Sequence, residues 1–238
     1  MKRIQYIAMF ILSIGLMGLT VPSHGALQQG KEYTLVSPPQ PVETGKNIEV
    51  LEIFSYTCPH CFELEPIISP WVKRLPKDVT FRRMPAIFRD NWTPLAKAYY
   101  AMEVLGVTEK LHADLFKAIH VQGLDLANPT TLLDWVAKQG VDRKKFNDAY
   151  ASFSVQSSVQ RAKQLSQAYG VTGVPSVVVD GKFLTSPVLT GGHAALLPVL
   201  DQLIEQARQG RPAKAKSDGI SRTPTAHPHS HLKAAANK

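Results

Sequence analysis

The chain is poor in cysteine: of 238 residues only Cys58 and Cys61 are cysteines, both within Cys58-Pro59-His60-Cys61. A disulfide-stapled scaffold is therefore excluded. A staple this short also has little to offer, since closing a four-residue loop stabilises by about 2 kcal/mol against roughly 3 for fifteen residues. A structural zinc centre wants about four N or S ligands, and no second cysteine pair and no histidine at finger spacing other than His60 completes the set. Long apolar runs are missing as well. The longest, Ile7 to Leu19, is thirteen residues, short of the roughly 20 that span a bilayer. No cysteine precedes Cys58, which excludes a lipid-modified cysteine near the N-terminus, and no internal repeat is present.

Acidic residues are scarce, 19 against 27 lysines and arginines for a formal charge of +8, yet the excess is not spread over the chain. Lys2 and Arg3 carry +2 of it. Residues 211–238, with six cations against Asp218, carry +5 and leave a body near +1. A nucleic-acid surface needs a basic face on the domain itself, so nucleic acid is excluded as a partner. The 211–238 tail is Pro, Ala, Lys, Ser and Thr with little to bury, and disorder is expected there. Its His227, His229 and His231 read as solvated side chains, with no metal assigned.

At the other end, Lys2 and Arg3 before the apolar run and Val21-Pro-Ser-His-Gly-Ala26 after it make residues 1–25 a secretory signal peptide. Cleavage after Gly25 puts small Ser23 and Gly25 at the two critical positions, whereas cleavage after Ala26 puts bulky His24 at the first. Export implies an oxidising compartment.

Residues 26–210 fit one compact domain. Tyr33–Val36, Ile48–Tyr56, Val79–Met84, Ser176–Val179 and Lys182–Leu184 read as strands, with Asp180-Gly181 as a hairpin turn. From about 86 to 170 the pattern is helical: Leu95–Leu105, Glu109–Val121, Thr130–Gln139, Asp142–Ser152 and Val155–Tyr169, broken at Asn128-Pro129 and at Gly140-Val141-Asp142. Ala194–Arg208 makes a closing helix. Strands, a helical block, then strands imply an α/β fold with a helical insertion.

The cysteine motif lies between the strand Ile48–Tyr56 and a helix running from Cys61 to Leu75, which places Cys58 at the helix N-terminus. Unpaired backbone N–H groups and the positive end of the dipole stabilise an anion there, and Pro59 needs no N–H in the first turn. Cys58 is thus expected as thiolate. Were its pKa lowered to about 4 by the helix terminus and His60, the reduced form would gain roughly 4 kcal/mol at pH 7, near 90 mV for two electrons. Cys61, one turn on, is the shielded resolving thiol. A redox site is the leading reading of the pair, ahead of metal binding or a structural crosslink.

Tyr56-Thr-Cys-Pro-His-Cys61 after a strand, Leu95-Ala-Lys-Ala-Tyr-Tyr-Ala-Met-Glu-Val-Leu-Gly106, and Gly173-Val-Pro-Ser-Val-Val-Val-Asp-Gly-Lys182 together resemble the DsbA family of periplasmic thiol:disulfide oxidoreductases, from about Tyr33 to Arg208. That family is a standard example of a depressed cysteine pKa, so the resemblance and the helix-terminus argument agree without being independent. The resemblance implies a thioredoxin-like fold with an inserted helical domain. It also implies a cis Val174-Pro175 peptide facing Cys58, with Val174 and Pro175 forming the substrate-binding edge. From the residues alone Pro175 reads as a strand-initiating proline. Val174, rather than threonine, resembles the oxidase branch more than the isomerases.

Glu52 sits in an apolar strand, in phase with Val50 and Phe54. A buried carboxylate there has a raised pKa and is a candidate proton relay to Cys61; the alternative is an ion pair with Arg83. The resembled family has a matching acid but a lysine where this chain has Arg83, and arginine does not release its proton. His112 and His120 read as surface or core-edge residues, and His193 as support for the last helix. Tyr99, Tyr100, Phe116 and Trp135 read as core.

The function expected is oxidation of dithiols in exported proteins by the Cys58–Cys61 disulfide in the periplasm, by a monomer with no bound cofactor. Reoxidation by a DsbB-like membrane quinone reductase follows from the resemblance alone. Two alternatives stay open: a periplasmic reductase or isomerase on the same fold, and a metal-binding protein using the cysteine pair and the histidine tail.

Overall fold

The computed structural model describes residues 25–211. The expected signal peptide up to residue 24, and the tail from 212 on with its three histidines, lie outside the described residues.

Five strands form one mixed sheet in the order β1-β5-β4-β2-β3, with β1 Thr34–Leu35, β2 Ile48–Phe54, β3 Val79–Pro85, β4 Ser176–Val179 and β5 Phe183–Thr185. β2 pairs in parallel with β3 and antiparallel with β4, and β5 is antiparallel to both β4 and β1. A parallel pair needs a crossover, and α1 (Pro59–Val72) supplies it between β2 and β3. Every residue of β2 is buried, as a central strand covered on both faces requires.

Alternation along β2 separates two cores. Ile48 and Val50 pack with Leu64, Ile68 and Trp71 of α1 and with Leu196, Leu200 and Leu203 of α8 (His193–Gln209). Leu51 and Ile53 face the other way, toward Ala96 of α2 (Thr93–Val104) and Val159 and Ala162 of α6 (Phe153–Ala168). Burying a leucine or isoleucine side chain this fully stabilises by about 1.5–3 kcal/mol, so the layer of α1 and α8 packed on one face of the sheet is a firm base for the motif at the start of α1.

The helical block expected between residues 86 and 170 is present as α2, α3 (Thr108–His120), α4 (Pro129–Lys138), α5 (Arg143–Ala151) and α6. Its core, in which Leu111, Leu115, Phe116, Leu132, Val136 and Phe146 are buried, is continuous with Phe54 of β2, Tyr56 after it and Cys61 of α1. Caps set its boundaries: Asn128 Oδ1 accepts from the N–H groups of Thr130 and Thr131, and Asp142 accepts from Lys145 N–H at 2.7 Å. Asp180 and Gly181 both have positive φ, 53° and 65°, as a two-residue hairpin turn of this type demands. A Cβ on Gly181 would overlap the Gln40 carbonyl oxygen, so only glycine fits.

Two features differ from the sequence-based reading. A four-residue helix, α7 (Pro187–Thr190), follows β5, capped by Ser186 with Pro187 in its first turn. Arg211, read as the first tail residue, is held against the body: its guanidinium pairs with Asp180 and donates to the Asn47 carbonyl at 2.9 Å. Among the described residues no helix is long and apolar enough to cross a membrane.

Candidate active site

Where β2 ends, Ser55 to Thr57 turn the chain into α1, and Cys58 becomes the helix N-cap in extended conformation. Its carbonyl accepts the first helical bonds, from Cys61 N–H at 3.1 Å and Phe62 N–H at 3.2 Å. The two cysteines are free thiols in very different settings, Cys58 partly exposed and Cys61 1 % exposed. Ser55 N–H points at Cys61 Sγ, 3.5 Å away.

The Cys58 pKa is lowered from 9.0 to about 6. The Cys61 thiol, hydrogen-bonded to the Cys58 sulfur, contributes most, and partial burial opposes it. The backbone N–H groups of Cys61 and His60 add to the lowering, and the His60 charge adds least. This corrects the sequence-based account, which gave His60 and the helix terminus the leading part and reckoned with a pKa near 4. At pH 7 a thiol of pKa about 6 stabilises the reduced form by about 1.4 kcal/mol, near 30 mV, before solvent screening is deducted. Burial pushes the Cys61 thiol far up, and its hydrogen bond to Cys58 adds to the rise. One sulfur is reactive and one is held protonated.

His60 is exposed, with Nδ1 3.0 Å from Glu63 Oε2, and this contact raises its pKa. Glu63 thus occupies part of the charge that the sequence reading directed at Cys58.

Val174 and Pro175 reach the site from the loop before β4. Their peptide bond is cis, and the Cys58 thiol donates to the Val174 carbonyl at 3.4 Å, across 116 residues of sequence. Beside them runs a groove of about 570 Å³ whose lining includes His60, Val174, Pro175, Leu184, Val188 and Leu189. Val188 is 90 % exposed, so one wall of the groove is an apolar side chain open to solvent.

Behind Cys61 lies a buried polar chain of which the sequence showed only one end. Glu52 accepts from Arg83 Nε at 3.0 Å, Arg83 Nη2 donates to Glu65 at 3.1 Å, and Glu65 lies 3.4 Å from His112 Nε2. His112 Nδ1 is 2.7 Å from the Tyr56 hydroxyl. Taking Tyr56 as donor, the tautomer assigned to His112 carries its proton on Nε2, toward Glu65. So the ion pair with Arg83 and the burial of Glu52 are both real. Burial pushes Glu52 up to about 7 against the pull of Arg83. Burial also pushes Glu65 up, but His112, Arg83 and Ser69 outweigh it and leave its pKa lowered. One guanidinium serves two carboxylates, Glu65 has further donors, and Glu52 is the one left near neutrality.

His112 is therefore no surface residue: it is 4 % exposed, and burial lowers its pKa. His120 stacks on Phe62 at 5.0 Å and contacts the Tyr56 carbonyl at 2.8 Å. His193 begins α8 as expected, but its ring centroid is 6.1 Å from that of His60, which puts it at the site. Tyr99, Phe116 and Trp135 are core.

Residues 76–194 match the family model of the DSBA-like thioredoxin domain, a segment that starts after the cysteine pair. Over 211 residues the chain is 43 % identical to the thiol:disulfide interchange protein DsbA of Burkholderia cepacia, covering 87 % of this chain and 98 % of that one. It is similar to the crystal structure of Pseudomonas aeruginosa DsbA, with TM-score 0.74, 42 % identity and 77 % and 95 % of the two chains covered. The oxidoreductase DsbA from Xylella fastidiosa superposes with TM-score 0.73 at 31 % identity, covering 78 % of this chain and all of the other.

Proposed function

The chain belongs to the DsbA family of thiol:disulfide oxidoreductases with a thioredoxin fold, and from that premise we propose that it oxidises exported proteins in the periplasm through Cys58. The observation that carries this reading is the asymmetry of the pair: a partly exposed, acidic Cys58 in contact with the carbonyl of Val174, which lines the groove, and a Cys61 sealed beneath it. The attacked sulfur needs access, and the low pKa of Cys58 makes it a good leaving group when the substrate disulfide closes.

In the disulfide form a substrate thiolate attacks Cys58 Sγ. The Cys58–Cys61 bond breaks, a mixed disulfide forms, and the electron pair leaves on Cys61, which takes up a proton. Glu52 is suited to give that proton because its pKa lies near 7. A second substrate thiolate then attacks the substrate sulfur of the mixed disulfide and expels Cys58 as a stabilised thiolate. The substrate has lost two electrons and the protein has gained them, with no bound cofactor. Arg83 stays charged throughout and acts by holding Glu52 and Glu65 in place.

The groove gives an extended peptide a place to lie against Val174 and Pro175, where proline has no N–H to close the backbone edge. Residues 1–25 act as a cleaved signal peptide, 26–210 as the catalytic domain with its helical insertion, and 211–238 as a basic tail. Reoxidation falls to a DsbB-like membrane quinone reductase.

A single-turnover assay tests this function. The disulfide form, mixed with excess reduced unfolded protein, is expected to introduce one disulfide per molecule and to end as dithiol. Failure to oxidise the protein, with the dithiol form reducing disulfides instead, would make this chain a reductase.

A further inference from the structure

We propose that His60, Glu63 and His193 form a binding site for one divalent transition-metal cation of the zinc class beside the groove. One ligand atom from each residue lies within 4.8 Å of the other two, the one such group among the described residues. No sequence spacing announces it, since 130 residues separate Glu63 from His193.

The frame is rigid. His60 and Glu63 are three apart on α1 and so share a face, and His193 is the first residue of α8. The two helices are locked by Leu64 and Ile68 packing with Leu196 and Leu200, and by Trp71 Nε1 donating to Asp201 at 2.8 Å. Ligands around a tetrahedral zinc with bonds of about 2.1 Å sit about 3.4 Å apart. Closing from 4.8 Å needs shifts of roughly 1.4 Å at most, and His60 and Glu63, already 3.0 Å apart, are exposed side chains with room to adjust.

The donor set selects the metal class. Two imidazole nitrogens and one carboxylate oxygen match the three-ligand zinc sites that keep a fourth position open, and nitrogen donors disfavour calcium and magnesium, which take oxygen. His60 and His193 both line the groove, so an occupied site sets a cation against a peptide lying there. That consequence rests on the docking reading above; the binding itself does not.

Zn2+ titration by calorimetry and Co2+ titration by visible absorption test the site directly. The protein is the full chain in its disulfide form, with His227, His229 and His231 replaced by alanine so that neither thiols nor tail bind metal. The expected result is one equivalent of Zn2+, with affinity weakened at least about tenfold by His193→Ala and, separately, by Glu63→Gln. Circular dichroism checks that each variant is folded, and the two substitutions lie on different helices so that one folding defect does not remove the test. Absence of saturable uptake at one equivalent, or affinity that either folded variant leaves unmoved, overturns the proposal. Oxidase activity enters neither outcome, so failure here would leave the function proposed above untouched.

Discussion

Replacing Glu52 with glutamine should make the dithiol protein more stable, and increasingly so as pH rises. Glu52 is 2 % exposed, and burial lifts its pKa from 4.5 to about 7. An acid with a raised folded-state pKa is not the usual carboxylate case: its contribution is fully present below about 4.5 and is lost as pH rises through about 7, because the folded state resists ionisation. Across that interval the loss is about 3 kcal/mol, at 1.36 kcal/mol per pKa unit. Glutamine keeps the shape and still accepts from Arg83, while Arg83 retains Glu65 at 3.1 Å, so no buried charge is orphaned. For a domain of this size 1 kcal/mol moves Tm by about 2–4 °C, giving about 6–12 °C for Glu52→Gln at pH 8 and almost nothing at pH 4. Thermal unfolding of both dithiol proteins at pH 4, 6 and 8, followed by circular dichroism, reads this out. A gain of equal size at pH 4 and pH 8, or a loss at pH 8, would refute the assignment of Glu52 as the group that titrates near neutrality.

His60→Ala should raise the Cys58 pKa by less than about one unit and lower the potential by less than about 30 mV, because the His60 charge is the weakest of the effects that lower it; equilibration with glutathione measures the shift, and a fall of more than about 60 mV would restore His60 as the main determinant. Pro175→Thr returns a side-chain hydroxyl and a backbone N–H to the edge beside Cys58, and should let mixed disulfides with substrate accumulate as high-mass species that vanish on reduction; turnover at the parental rate with nothing trapped would remove Val174 and Pro175 from the docking site. In the Cys61→Ser variant, activated at Cys58 with an aromatic disulfide, a substrate carrying a single thiol should be captured as a lasting mixed disulfide, whereas in the parent Cys61 attacks the Cys58 sulfur and sets the substrate free; prompt release from the variant would show that Cys61 is not the resolving thiol.

Most of the fold was readable because it rests on local signals. The period of α2 to α6, the breaks at Asn128-Pro129 and Gly140-Val141-Asp142 and the Asp180-Gly181 turn each act within a few residues. α7 is too short to show a period, although Ser186 before Pro187 is a helix-start signal. The cysteine pair was readable because its position depends only on one strand, one turn and one helix. The rest of the site was not, because it is assembled by packing. Glu65 looks like any polar residue on an amphipathic helix, and only the approach of α3 to α1 buries it against His112. His193 meets His60 because β5 and α7 return the chain to the start of α1. The ranking of effects on Cys58 was likewise hidden, since the leading one is a hydrogen bond between the two thiols.

Thiolate absorbance of the dithiol protein as a function of pH, compared with Cys58→Ser, tests the central claim most directly. Two thiols one helical turn apart should titrate as one: a single transition near pH 6 from Cys58, absent in Cys58→Ser, with Cys61 silent well into the alkaline range. A Cys58 transition above about 7.5, or a Cys61 that ionises alongside it, would contradict the division of roles on which the oxidase mechanism depends.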